Sequence, residues 1–107
     1  NAQGNANAVW VFQADSTLLV SIPTGPTLTV PRTVQLINGA QAKNVFWYVP
    51  AGATINTGSN MVGTIISNAS TTFSTSGATI VTTLDGRALV LVAGATMVNT
   101  VVNVPAP

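Results

Sequence analysis

No stretch of this chain sustains a helical period. Short β-branched and aromatic runs follow one another instead, each cut off by Gly, Pro, Ser or Asn. Strands that short cannot each bury a face alone, so the chain must stack them. A recurrence supports stacking. Leu19, Ile37, Ile55, Phe73 and Leu91 form one apolar column in an 18-residue register. Phe12, Val30, Tyr48, Ile66, Leu84 and Val102 form a second column in the same register. A coil of that length holds three short strands and three corners, with each column running along a solenoid interior. About six coils fit, giving a stack roughly 25–30 Å tall at ~4.8 Å per coil.

The stretch from Asn38 to Gly58 contains one such unit. Asn38-Gly39 is a turn dipeptide, since both residues tolerate positive φ. Val45 to Val49 reads as a strand, and Pro50 ends it because proline has no ladder donor. Gly52-Ala53-Thr54 opens the next strand and recurs as Gly77-Ala78-Thr79 and Gly94-Ala95-Thr96. These copies do not keep the register, so they mark different corners. Further strands are expected at Val9–Phe12, Thr17–Ile22, Thr27–Val30, Thr33–Ile37, Thr64–Ser67, Thr71–Ser74, Thr79–Thr82, Arg87–Val92, Thr96–Val98 and Val101–Val104. Asp85-Gly86 reads as a turn. The fold class is all-β, a β-solenoid over residues 1–107 as one domain.

Composition narrows the function. Charged residues make up 5% of the chain, against about 25% in ordinary soluble domains. They are Asp15, Arg32, Lys43, Asp85 and Arg87. A net charge of +1 without a basic cluster gives nucleic acid nothing to bind. There is no His, Cys or Glu, and nothing in the spacing pairs the two aspartates. Acid–base catalysis, thiol chemistry and metal clusters all lack their residues, and no cofactor is implied. The longest apolar stretch, Ala88 to Val98, is too short and glycine-broken to cross a membrane as a helix. The Thr/Ser/Asn/Gly-rich, nearly uncharged surface is of the kind found on secreted proteins, although no signal peptide is visible.

Rows of threonine are the most suggestive feature. Thr54 and Thr72 are one period apart, as are Thr57 and Thr75. These four are the candidate ligand-binding residues, on a flat face that orders water at the coil spacing. The plain alternative is that threonine is a good strand residue. Thr64, Thr82 and Thr100 form a third row that shares strand parity with Ile66, so an inward direction stays open. Trp10, Phe46, Trp47 and Tyr48 could form a stacking platform. Tyr48 lies in an interior column, which leaves Trp47 as the best exposed candidate. Asn68-Ala69-Ser70 matches a glycosylation sequon, as chance allows in a chain this rich in Asn and Ser.

Four segments together resemble a known family. They are Gly4 to Leu18 (GNANAVWVFQADSTL), Leu36 to Val49 (LINGAQAKNVFWYV), Ala53 to Ile65 (ATINTGSNMVGTI) and Leu84 to Val90 (LDGRALV). They are similar to the DUF3494 ice-binding-like family along nearly the whole chain. The resemblance implies a secreted, right-handed, triangular β-helix. Members of that family bind ice or serve as adhesion and surface domains, through a flat face rather than a fixed motif. No binding residue therefore carries over. Family domains are about twice this length, and their first half supplies a further layer and a covering helix. The chain is expected to start at the second half, leaving one solenoid face bare. Two functions follow as expectations. One is an extracellular structural subunit that self-associates as a homo-oligomer or homopolymer. The other is an adhesive domain that docks its threonine face on ice or a cell-surface polymer.

Overall fold

A computed structural model of the chain describes residues 1–20, 32–56, 58–73 and 81–106. Its strands are β1 Trp10–Gln13, β2 Leu18–Val20, β3 Val45–Val49, β4 Ala53–Ile55, β5 Asn60–Ser67, β6 Thr71–Phe73, β7 Thr82–Val90, β8 Ala95–Met97 and β9 Thr100–Asn103. A 3₁₀ turn spans Ala42–Asn44, and no α-helix occurs among the described residues. Each strand pairs in parallel with the strand two places on. One sheet has the order β1-β3-β5-β7-β9 and the other β2-β4-β6-β8. Alternate strands pair in parallel within each sheet, the order that a chain wound in coils produces as it adds to both sheets in turn. Long strands β5 and β7 serve two flanks. Their first halves continue to β9, and their second halves continue to β3.

Among the described residues four coils can be traced, not six, because the step between paired strands varies. Phe46 lies opposite Thr64 and Ala53 opposite Thr71, each 18 residues on. Thr82 lies opposite Thr100 at the same step. Trp10 to Val45 is 35 residues, Met61 to Leu84 is 23 and Thr71 to Ala95 is 24. The two apolar columns are therefore only partly real. Ile55 does meet Phe73, and Tyr48 meets Ile66. Leu19 meets Thr54 rather than a line through Ile37, and it faces outward at 65% exposure.

Three interior columns replace those two. They are Phe12–Trp47–Ile65–Ala88, Val20–Ile55–Phe73–Met97 and Met61–Leu84–Val102. Val34 joins the third, with its N–H donating to the Asn60 carbonyl at 2.9 Å. Ile55, Ile65, Phe73 and Leu84, from the two middle coils, are fully buried. Trp47 and Tyr48 are reversed from the sequence reading. Trp47 faces in, stacks on Phe12 with ring centroids 4.4 Å apart and donates its Nε1–H to the Val62 carbonyl at 2.8 Å. A buried indole needs such a partner. Tyr48 faces out, beside Gln13 and Ile66.

Two other segments differ from expectation. Thr33–Ile37 makes a single bridge, Thr33 to Asn60, and no strand. The Ile37 carbonyl is taken instead by the N–H groups of Ala2 and Ala40. Asp85-Gly86 is not a turn but lies inside β7, opposite Val62-Gly63. Asn38-Gly39 is a turn, with φ of 53° and 88°. The Gln41 and Asn44 side chains beyond it both donate to the Ala6 carbonyl, at 2.8 and 3.1 Å. The segment AQAKN thus ties residues 1–8 to the first coils. The expected strand at Thr27–Val30 falls outside the described residues.

Thr71 carries a stability prediction. Its side chain is fully buried, and among the described residues Oγ1 has no hydrogen-bond partner. An unsatisfied buried hydroxyl costs about 1–3 kcal/mol. Thr71→Val keeps the shape and removes the hydroxyl. It is expected to raise unfolding free energy by about 1 kcal/mol in urea denaturation, with an unchanged m-value.

Candidate threonine face of the four-stranded sheet

The strands of the four-stranded sheet share one pattern. The first residue sits at a corner, the second points out and the third is large and points in. The inward residues are Val20, Ile55, Phe73 and Met97, so the outward ones are Leu19, Thr54, Thr72 and Thr96. Period-two alternation enforces this, because the Ile55 and Phe73 side chains are wholly inside. Thr54 and Thr72 are half-buried, and Thr96 and Leu19 are exposed. Neighbouring positions repeat at ~4.8 Å, the parallel strand spacing.

Corner hydrogen bonds hold this ladder in register. The Leu18 N–H donates to the Gly52 carbonyl at 3.1 Å and the Ala53 N–H to the Ser70 carbonyl at 3.0 Å. At the far end of the strands, the Asn56 N–H donates to the Val20 carbonyl at 2.8 Å and the Val98 N–H to the Phe73 carbonyl at 3.1 Å. Close approach explains Gly52, where an added Cβ would lie 3.0 Å from the Ser70 carbonyl oxygen. Gly52 and Gly94 open β4 and β8 at the same corner. These two Gly-Ala-Thr copies therefore mark one corner, not different ones, and Gly77-Ala78-Thr79 falls outside the described residues.

Of the four candidate residues, Thr54 and Thr72 lie side by side as expected. Thr57 and Thr75 fall outside the described residues. Thr96 extends the row beside Thr72 and was missed. Its signal was the repeated Gly-Ala-Thr, hidden by a 24-residue step. The third threonine row breaks up. Thr82 and Thr100 are neighbours, but Thr64 sits between Phe46 and Arg87. Thr82 is buried and accepts the Gly58 N–H at 3.0 Å.

All five charged residues lie outside β2, β4, β6 and β8. Among the described residues no three of His, Cys, Asp or Glu gather as metal ligands, and no helix is long and apolar enough to cross a membrane. Asn68 is exposed on the turn between β5 and β6. The outer face of the five-stranded sheet differs in kind from the threonine face. Val11, Tyr48 and Leu89 are exposed there at 61%, 42% and 47%.

A parallel coil with two ladders, an apolar interior and one uncharged threonine row defines a β-solenoid-like fold. The sequence profile of the Ice-binding-like family matches residues 1–103, and the chain belongs to that family. It is 36% identical over 69 residues to ice-binding protein K3-B1 of Typhula ishikariensis, covering 64% of this chain and 25% of that protein. The crystal structure of an ice-binding protein from an Antarctic biological consortium is similar, with a TM-score of 0.76 and 36% identity. That similarity covers 94% of this chain and 39% of the other. A second, from an Antarctic Flavobacteriaceae bacterium, has a TM-score of 0.76 and 31% identity over 99% of this chain and 22% of its own. The chain thus spans well under half the length of these relatives.

Proposed function

We propose that this chain is a non-enzymatic, extracellular binding unit that docks the outer face of its four-stranded sheet on ice or on another ordered, hydroxylated surface. One observation carries the reading: Thr54, Thr72 and Thr96 stand in register on a parallel ladder. Each presents a methyl and a hydroxyl from a strand, and the strand neighbours of Thr54 and Thr72 are locked in the core. Water held by such a row takes the spacing of the backbone rather than that of a mobile side chain. The absence of charge on these strands supports the same reading, because a charged group imposes its own hydration shell. Membership of the Ice-binding-like family is consistent with it. The finer fold that goes with this function is a right-handed triangular solenoid. Its basic coil of about 18 residues is lengthened by insertion, and right-handed crossovers are the rule between parallel strands. Thermal hysteresis and ice-recrystallisation assays on the folded chain test the proposal. Slowed ice growth is the expected result, and an inactive but folded protein counts against it.

A second reading rests on the stack ends. The inward residues Phe12 in the first coil and Met97 in the last are 46% and 43% exposed. Such ends favour a self-associating subunit of a fibre or surface assembly. Sedimentation velocity across a concentration series is expected to show growing species above a threshold concentration.

A further inference from the structure

Asn68, Ala69 and Ser70 form the corner between β5 and β6. Its main chain holds it in place. The Asn68 N–H donates to the Val49 carbonyl at 3.1 Å, and the Ala69 N–H to the Ala51 carbonyl at 2.9 Å. The Ser70 carbonyl accepts from the Ala53 N–H at 3.0 Å and from Ser67 Oγ at 3.1 Å. Among the described residues no hydrogen bond uses the Asn68 side-chain amide or the Ser70 hydroxyl, and both residues are exposed. Other asparagines put their side chains to structural use. Asn1, Asn5, Asn38, Asn44, Asn60 and Asn103 each take part in a side-chain hydrogen bond. Asn68 is also the one asparagine of ten that opens an Asn-x-Ser/Thr triplet, so modification there has a single address.

Resting on the extracellular reading, we propose that Asn68 is the acceptor of an N-linked oligosaccharide. The donor class is a sugar carried on a polyprenyl phosphate. The bond from the sugar C1 to the phosphate oxygen breaks, and C1 bonds to Asn68 Nδ2. Nδ2 gives up one proton, and the lipid phosphate leaves. The Ser70 hydroxyl, two residues on, is the group by which the transferring enzyme recognises the triplet. The fold must then leave room for the sugar, and this corner does. Replacing an Nδ2 proton there breaks no hydrogen bond among the described residues and displaces no buried side chain.

The surroundings give the sugar a task. Asn68 belongs to the third coil, so its setting comes from β3 on one side and β7 on the other. Ala51 is its neighbour towards β3. Towards β7, the Leu91 N–H donates to the Ser67 carbonyl at 3.0 Å, which sets Leu91 and Val92 beside Asn68. Those two side chains are 64% and 78% exposed. Adjacent apolar side chains in water favour association, and a chain with 5% charged residues has little repulsion to oppose it. A neutral sugar on Asn68 adds bulk and hydroxyls at that point. It shields Leu91 and Val92 without bringing a charge near Thr72, four residues further on.

Secretion of the full chain from yeast, behind a yeast leader, tests the site. One upward gel shift is expected, and peptide-N-glycosidase should collapse it. Asn68→Gln and Ser70→Ala should each lose the shift, while Ser70→Thr, which restores a hydroxyl, should keep it. The glycosylated protein should bind less of a hydrophobic dye than Asn68→Gln at equal concentration. An unshifted chain in the medium overturns the site and leaves the extracellular reading standing. A shifted chain held in the cell together with Asn68→Gln overturns the extracellular reading and leaves the site. A shifted chain held in the cell while Asn68→Gln is secreted shows that the corner has no room for a sugar, and overturns the proposal. An unshifted chain held in the cell overturns both. Equal dye binding by the two secreted forms overturns the shielding of Leu91 and Val92.

Discussion

Gly86→Ala is expected to leave the chain unfolded. Gly86 sits inside β7 directly opposite Gly63 of β5, where the two long strands pass from one flank to the next. A Cβ on Gly86 would overlap the Gly63 carbonyl group. These are backbone atoms fixed by the ladder, not the tip of a movable side chain. Gly63 is constrained from its other side too. Its φ is +108°, and a Cβ there would lie 2.6 Å from the Val45 carbonyl oxygen. Val45, Gly63 and Gly86 thus stack backbone on backbone at one corner, and relieving the overlap means parting the longest ladder among the described residues. A substitution of this kind exceeds about 4 kcal/mol, against roughly 5–15 kcal/mol for a whole domain of this size. Far-UV circular dichroism and urea denaturation read the outcome. Gly94→Ala is the control, because nothing lies within 4 Å of a Cβ there. In dilute solution that variant should stay within about 0.5 kcal/mol of the parent. A Gly86→Ala protein with the parent's spectrum and midpoint would show that the corner is looser than described.

These corner glycines also explain why the sequence misled at Asp85-Gly86. A turn dipeptide and a strand glycine pressed against another backbone are written with the same letters, and only the partner strand tells them apart. β3 was legible to the residue, since Val45–Val49 is uniformly β-branched and aromatic and ends at Pro50. Its facing was not legible. Val45, Trp47 and Val49 point in while Phe46 and Tyr48 point out, so both faces are apolar and the period-two signal is flat. Coil spacing was legible only where nothing is inserted. Thr54 and Thr72 were found because β4 and β6 are 18 residues apart, and Thr96 was lost to a step of 24. The family was legible in four segments, and in one of them the Asn38-Gly39 turn precedes the Gln41 and Asn44 amides that donate to the Ala6 carbonyl. The family resemblance implies binding through a flat face rather than a fixed motif, so identifying the fold brought no binding residue with it.

Under the ice-docking function proposed for the threonine face, Thr72→Arg is expected to abolish ice-growth inhibition while leaving the fold intact. Thr72 is the inner member of the row, with Thr54 on one side and Thr96 on the other. It points out of a three-residue strand whose flanking Thr71 and Phe73 are fully buried. An arginine there keeps the backbone and the core but raises a long, hydrated cation above a face that has no charge. The nearest approach to a flat surface is then set by the guanidinium rather than by the threonine methyls. Strand preference changes by at most about 1 kcal/mol for such a substitution, so the thermal midpoint should move by only a few degrees. Thr54→Arg should act the same way, and the pair together no more severely than either alone, since one obstruction already prevents contact. Tyr48→Arg places an equal charge on the outer face of the five-stranded sheet and should leave activity unchanged. Activity that survives Thr72→Arg but is lost in Tyr48→Arg would move the binding surface to the five-stranded sheet. There the exposed residues are Val11, Tyr48 and Leu89, and contact would depend on apolar area rather than on a hydroxyl row.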